Sequence, residues 1–311
     1  MREVIVGSRS SDLALWQTRW VVANLERNNP DIRFNIKLIK TKGDRILDVA
    51  LAKIGDQGLF TKELEIAMLD GEIDMAVHSI KDLPTAIPEG IVIAAVCERY
   101  SPADVLISSR GYSLEQLPQG ARVGTSSLRR MAQLKRARPD LEFCNLRGNL
   151  PTRLTKMESD GLDAIVLAEA GVARLGLSER ITDRISFQVC LPAIGQGAIG
   201  VEAREGDQET LKLLTDLDHG PSRLAVTAER AFLKRLAGGC QVPIGALGTV
   251  SGDFLTLEGV VASLDGKHFV RAELRGSSSE SHMIGEGLAD QLLAAGARQI
   301  LDEARREFES R

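Results

Sequence analysis

Short apolar runs, punctuated by glycine and hydroxyl residues, recur along this chain with amphipathic stretches between them. EVIVG (3–7), FNIKLIK (34–40) and IDMAVHS (73–79) read as strands, because short runs rich in Val and Ile suit a buried pleated surface. Residues 12–27 follow a helical period, and Leu64, Ala67, Met68 and Leu69 share one helical face. The same order returns in ARVG (121–124), a helix to about 137, LEFCNL (141–146) and LDAIVLA (162–168). Thr61 and Asn149 stand where helix N-caps are expected.

Landmarks between the runs also repeat. Gly7-Ser8-Arg9-Ser10-Ser11 corresponds to Gly124-Thr125-Ser126-Ser127, each joining a strand to a helix. Lys42-Gly43-Asp44 corresponds to Arg147-Gly148-Asn149, and Asp70-Gly71 to Asp160-Gly161. Each set is a β-α-β-α-β unit, which forms a parallel sheet with right-handed crossovers. The expected fold class is therefore α/β, with two lobes of mainly parallel sheet around a cleft. The first lobe takes residues 1–98 and 197–217, where GAIGVEAR returns to it, and the second takes 103–192. A small α+β domain, 220–311, is expected to follow, with Pro221 at a helix start, strands near 245–250, 254–263 and 268–275, and C-terminal helices.

Composition narrows the function classes. A net charge of −4 argues against non-specific binding to nucleic acid or anionic membranes, and 4% aromatic content argues against base-stacking platforms. No long apolar stretch follows the N-terminal MREVIVGSRSS, so a cytoplasmic protein without disulfides is expected. Cys97, Cys144 and Cys190 lie in or beside apolar runs and read as core residues. Cys240, in LAGGCQVPIGA (236–246), sits on a loop shaped by Gly and Pro; a buried thiol and a ligand-bearing thiol both fit that setting.

The two strand-to-helix turns are natural anion cradles, because free N–H groups and the helix dipole point at one place. Arg9 joins the first cradle and Arg129-Arg130 the second, with Arg147, Arg153 and Arg174 near the strand ends of the second lobe. Guanidinium forks in that number call for a polyanionic ligand. Neither a phosphate-binding GxxxxGK[ST] loop nor a strand-following GxGxxG occurs, and His219, His268 and His282 have no metal-ligand spacing. His78 reads as a packed residue at a strand end. Asp82, in HSIKDLP (78–84), is either a turn-capping carboxylate or one that faces the cation-rich cleft to stabilise positive charge or move a proton.

VGSRSSDLALWQT, KGDRILD, GLFTKELE, AVHSIKDLPT, VGTSSLRR, NLRGNLPTRL, AEAGVARLG, PAIGQGA and GGCQVPIGA occur in order from residue 4 to about 250. In these motifs the chain resembles the porphobilinogen deaminase, or hydroxymethylbilane synthase, family. The resemblance implies three domains, the first two like the lobes of periplasmic binding proteins. It implies a transferase that condenses porphobilinogen into linear hydroxymethylbilane with loss of ammonia, and a dipyrromethane cofactor held by thioether to Cys240. It further implies Asp82 as the catalytic carboxylate, stabilising cationic azafulvene-like intermediates. Lys81, Ser127, Arg129, Arg130, Thr125 and Ser11 would hold cofactor carboxylates, and Arg9, Arg147, Arg153 and Arg174 would bind substrate and growing chain. One departure is visible: where the family commonly has a Lys before GLF, this chain has Gly55-Asp56-Gln57-Gly58, so an electrostatic clamp by that loop is in doubt. A monomer is expected. The competing reading is a non-catalytic bilobal receptor for a small organic polyanion, which leaves Asp82 and Cys240 without a task.

Overall fold

The computed structural model describes residues 2–45, 58–236 and 242–309. It divides into two compact units, residues 1–100 with 197–223, and residues 101–196 with 224–311. The expected loop around Gln57 and the loop of Cys240 lie outside the described residues.

In the first unit, β1 (Arg2–Ser8), α1 (Asp12–Asn28), β2 (Ile32–Leu38), α2 (Lys62–Leu69) and β3 (Met75–Ser79) follow the order read from the apolar runs. β4 (Ile91–Val96) then forms an edge. The sheet order is β2-β1-β3-β10-β4, where β10 is Ile199–Arg204. β1 pairs in parallel with β2 and β3, whereas β10 runs antiparallel to both β3 and β4. Four strands thus point one way, with a single reversed strand inserted in the fourth position.

The second unit repeats this plan with β5 (Asp104–Ser108), β6 (Arg122–Gly124), α3 (Leu128–Ala137), β7 (Glu142–Cys144), α4 (Leu150–Ser159), β8 (Ala164–Ala168), α5 (Glu169–Arg174) and β9 (Asp183–Ile185). Its order is β7-β6-β8-β5-β9, with β5 the reversed strand. Both sheets are covered on both faces, one by Val21, Val22 and Leu25 of α1 and by Leu64 and Met68 of α2, the other by Leu134 of α3 and Met157 of α4. Coverage on two faces is why these strands read as continuous apolar runs.

The glycines of the repeat have a steric cause. A Cβ on Gly7 would lie 2.4 Å from Ile73 Cδ1, and one on Gly124 would lie 2.7 Å from Leu162 Cδ1. Gly7 pairs with Ala76 and Gly124 with Ile165, so the two glycines occupy equivalent register positions and meet equivalent neighbours.

After β10, α6 (Gln208–Leu214) packs on the first sheet, and α7 (Gly220–Arg235) leads to the C-terminal layer. There β11 (Ile244–Ser251), β12 (Phe254–Ala262) and β13 (Phe269–Ser277) form an antiparallel meander. Phe232 of α7, with residues of α8 (Ser281–Leu292) and α9 (Arg298–Glu309), closes its core. Among the described residues no helix is long and apolar enough to cross a membrane.

Two local expectations change. Asn149 caps α4, its side chain accepting from Thr152 N, but Thr61 makes no cap hydrogen bond. Its ψ of −32° departs from the extended conformation that aims an N-cap hydroxyl at the helix. Cys97 and Cys190 are buried as expected, whereas Cys144 is only half-buried, because β7 is an edge strand. The crowding at Gly124 leads to the prediction that Gly124→Ala lowers the unfolding free energy by about 1–3 kcal/mol, the usual cost of overpacking. Urea denaturation measures it, and an unchanged midpoint would contradict the assigned steric role.

Candidate active site

β3 ends at Ser79, and a single 3-10 turn, Ile80–Asp82, carries Lys81 and Asp82 beyond the carboxyl end of the parallel strands. That edge is where open α/β sheets bind ligands. β10 and the residue before it hold the turn: Ile80 N donates to Ala198 O at 3.1 Å, and Gly200 leaves room for Ile80. A Cβ on Gly200 would stand 2.3 Å from Ile80 Cδ1. Asp82 is exposed and lines a small pocket with Arg9, Ser11, Gln17, Phe60 and His78, among others.

Arg9, Ser11 and Gln17 are each fixed by neighbours. Arg9 donates through Nε and Nη2 to Asp44 Oδ1 at 3.2 and 2.5 Å, and its guanidinium lies 4.2 Å from the Phe60 ring centroid. Thr41 Oγ1 donates to Asp44 Oδ2 at 2.8 Å. Burial pushes the Asp44 carboxyl up, but the hydrogen bond and charge of Arg9 outweigh it and hold it below its ordinary value. Ser11 caps α1, accepting from Ala14 N at 3.4 Å. Gln17 Nε2 donates to Ser79 Oγ at 2.9 Å, tying α1 to the strand end that precedes Lys81 and Asp82.

In the second unit the cradle forms at the start of α3. Ser127 caps the helix, accepting from Arg130 N, and buried Thr125 accepts from Ser127 N at 3.2 Å. Arg129 and Arg130 do not reach into solvent; both are buried and converge on Asp104 of β5. Arg129 Nη1 donates to Asp104 Oδ2 at 2.6 Å, and Arg130 donates through Nε and Nη2 to Oδ1 at 3.0 and 2.7 Å. Gln196 Nε2 adds a third donor to Oδ1, at 2.9 Å. Burial alone would raise the Asp104 carboxyl, yet the charges of Arg129 and Arg130 hold it far below the usual carboxylate range. Beside them, burial pushes the Cys190 thiol up to about 12, so it is a neutral packing group. Two guanidinium cations face one carboxylate here, and the buried Arg129 Nε has no hydrogen-bond partner among the described residues. An unmet donor and an uncompensated positive charge fit an added carboxylate.

Arg147 and Arg153 bracket Gly148, whose φ of +119° turns the chain into α4. Arg153 Nε donates to Gly148 O at 2.8 Å. Burial pushes the pKa of Arg147 down. Arg174 is half-buried in the last turn of α5. The structure therefore gathers Arg9, Ser11 and Asp82 around one pocket, and Thr125, Ser127, Arg129 and Arg130 around one helix start. Cys240 lies outside the described residues. Among the described residues no group of His, Cys, Asp and Glu could hold a metal ion.

Reading the chain alone missed Asp44, Phe60, Gln17 and Asp104. Asp44 was visible as the acid of KGDRILD opposite an arginine cradle, but Asp104 gave no local signal, because its partners lie 25, 26 and 92 residues further along the chain. Its native carboxyl is depressed, so its stabilisation is present above the unfolded pKa of about 3.9 and is lost as pH falls below that value. Asp104→Asn should destabilise the protein by about 3–5 kcal/mol at pH 7, as breaking a buried pair does. The gap to wild type should narrow in acid. Urea melts at both pH values test this, and equal stability at pH 7 would refute it.

A family model described as the porphobilinogen deaminase dipyromethane cofactor binding domain matches residues 4–212, and the C-terminal domain model of the same name matches residues 223–294. The porphobilinogen deaminase of Carboxydothermus hydrogenoformans is 60% identical over 306 residues, covering 98% of each chain. That of Pelotomaculum thermopropionicum is 61% identical with the same coverage, and that of Synechococcus elongatus is 52% identical over 97% of this chain and 95% of its own. Among solved structures, the chain is similar to the alkanesulfonate-binding protein SsuA of Xanthomonas axonopodis pv. citri, at a TM-score of 0.40 and 12% identity over 76% of this chain and 75% of that one. Matched by both family models and by relatives along nearly its whole length, the chain belongs to the porphobilinogen deaminase family.

Proposed function

We propose that this transferase condenses porphobilinogen stepwise into linear hydroxymethylbilane, releasing ammonia at each addition, with Asp82 as the catalytic carboxylate. The observation that carries the residue assignment is the pocket that groups exposed Asp82 with Arg9 and Ser11 at the carboxyl edge of the first sheet. An acceptor-only carboxylate there suits pyrrole N–H donors and stabilises positive charge that develops on the substrate ring as ammonia leaves. Arg9, pre-oriented by Asp44 and Phe60, is placed to bind a substrate carboxylate without first ordering its own side chain. Arg147, Arg153 and Arg174 take the same role toward the side-chain acids of the growing product.

The dipyrromethane group of this family supplies, when bound, the primer to which the first pyrrole unit is joined. Cys240 is the residue assigned to its thioether. Arg129 and Arg130, with Thr125, Ser127, Lys81 and Ser11, are assigned to its carboxylates, and the unmet Arg129 Nε supports that assignment. A cytoplasmic monomer acting on this small acid, without nucleic acid or membrane, completes the reading. A non-catalytic polyanion receptor is not favoured, because relatives along nearly the full chain are named as deaminases.

The intact mass of the purified protein should exceed the sequence mass by one dipyrromethane, and Cys240→Ser should abolish the excess. A wild-type protein at its bare mass, unable to gain the adduct from porphobilinogen, would overturn the reading. Asp82→Asn should retain the adduct and the fold but lose about 100-fold or more of turnover, the range general acid–base groups contribute. Normal ammonia release by that variant would remove Asp82 from its role.

A further inference from the structure

Beneath the Asp82 pocket, the first sheet buries three ionisable side chains together. His78 of β3 and Glu202 of β10 are 4% and 0% exposed, and His78 Nε2 lies 3.1 Å from Glu202 Oε2. Among the described residues, neither His78 Nε2 nor either Glu202 oxygen has an aligned hydrogen-bond partner, so the two side chains meet at ion-pair distance only. Glu65 of α2, also buried, feels both of them, and Lys62 on the same helix is the further charge that bears on it. An imidazole nitrogen and a carboxylate oxygen 3.1 Å apart attract each other only when one of them carries a proton, since lone pair against lone pair repels. Burial raises the Glu65 carboxyl, and the Glu202 charge adds to that, so Glu65 keeps its proton where an isolated carboxylate would not.

The fold does not require this. Register matches the two sheets residue for residue: Gly7 opposite Ala76 corresponds to Gly124 opposite Ile165, which sets His78 against Leu167. Glu202 opposite Ala76 corresponds to Ile107 opposite Ile165. In the second sheet the equivalent pair is therefore Leu167 and Ile107, both buried in an apolar cluster with Met157 of the covering helix. The same scaffold packs hydrocarbon there, which is often at least as stable as a buried ionic pair. The ionisable pair occurs only in the sheet that carries Asp82, directly before its turn, on the two strands that hold that turn.

We propose that Glu202 and His78 form a proton-sharing pair, backed by Glu65, that positions the His78–Asp82 segment and sets the charge beneath the catalytic pocket. Glu202 and His78 are thus positioning residues, and the proposal rests on the assignment of catalysis to Asp82. A proton on His78 Nε2 faces Glu202 at ion-pair distance, which favours one ring orientation in the pocket wall, while Glu65, kept neutral by burial, adds no second negative charge.

The test exchanges the first sheet's pair for that of the second. His78→Leu/Glu202→Ile, made in the full chain, should fold with thermal stability at or above wild type and acquire the cofactor mass. Its kcat should fall about tenfold to a hundredfold, the scale set by small misplacements, with KM little changed. Glu202→Gln keeps an acceptor but removes the charge opposite the ring, so kcat should fall while the fold and the cofactor mass are retained. Independently of activity, nitrogen NMR of labelled histidine, assigned by the loss of a signal in His78→Leu, should show a protonated Nε2 that responds to Glu202→Gln. Wild-type kcat and pH profile in the double variant would overturn the proposal, as would a His78 ring unprotonated at Nε2. A wild-type protein without the adduct would count against the preceding assignment instead, and the nitrogen spectra would still decide the pair.

Discussion

Two guanidinium groups closing on one carboxylate that water cannot reach set the terms for the second unit. Asp104 is the first residue of the reversed strand β5, and Arg129 and Arg130 come from the first turn of α3. A buried carboxylate persists as an anion only while its hydrogen-bonding capacity is met, and here Arg129, Arg130 and Gln196 meet it. Sheet, helix start and the segment before β10 are thereby locked in one geometry. The two long arginine side chains are consequently ordered by folding itself.

The first unit solves a related problem differently. In each sheet the reversed strand carries one fully buried carboxylate, Asp104 in β5 and Glu202 in β10, at different register positions. In one sheet that acid compensates permanent cations; in the other it meets a histidine whose charge depends on its surroundings. Two copies of one scaffold have thus diverged in chemistry where they are least exposed. Their outer features, glycine, hydroxyl cap and helix, remain nearly interchangeable.

That division also explains what could be read from the chain. The strand-glycine-hydroxyl-helix order was legible because each part is local: Gly7 and Gly124 mark crowding by Ile73 and Leu162, and Ser11 and Ser127 mark caps. That Arg9, Asp82, Arg129 and Arg147 follow strand ends was also legible. The reversed strands were not, since nothing within DVLIS or IGVEAR states its direction, and only pairing with distant partners decides it. His78 and Glu202 therefore looked like an isolated strand-end histidine and an ordinary strand acid. Thr61 misled for the converse reason, because a suitable residue type stood in an unsuitable backbone conformation.

The position of β10 has a consequence for how the molecule is made. β4 bonds within its sheet only to β10, so when the first hundred or so residues have left the ribosome their sheet has a vacancy that separates β4 from β3. The strand that fills it follows the whole second sheet in the chain, and at about 5–20 residues per second it arrives several seconds later. Until then the apolar edges of β3 and β4 are exposed to other chains and to chaperones. A nascent chain halted between the two sheets would leave this vacancy permanently open, and the protein should depend on uninterrupted synthesis or on assisted waiting to a degree that its finished form does not reveal.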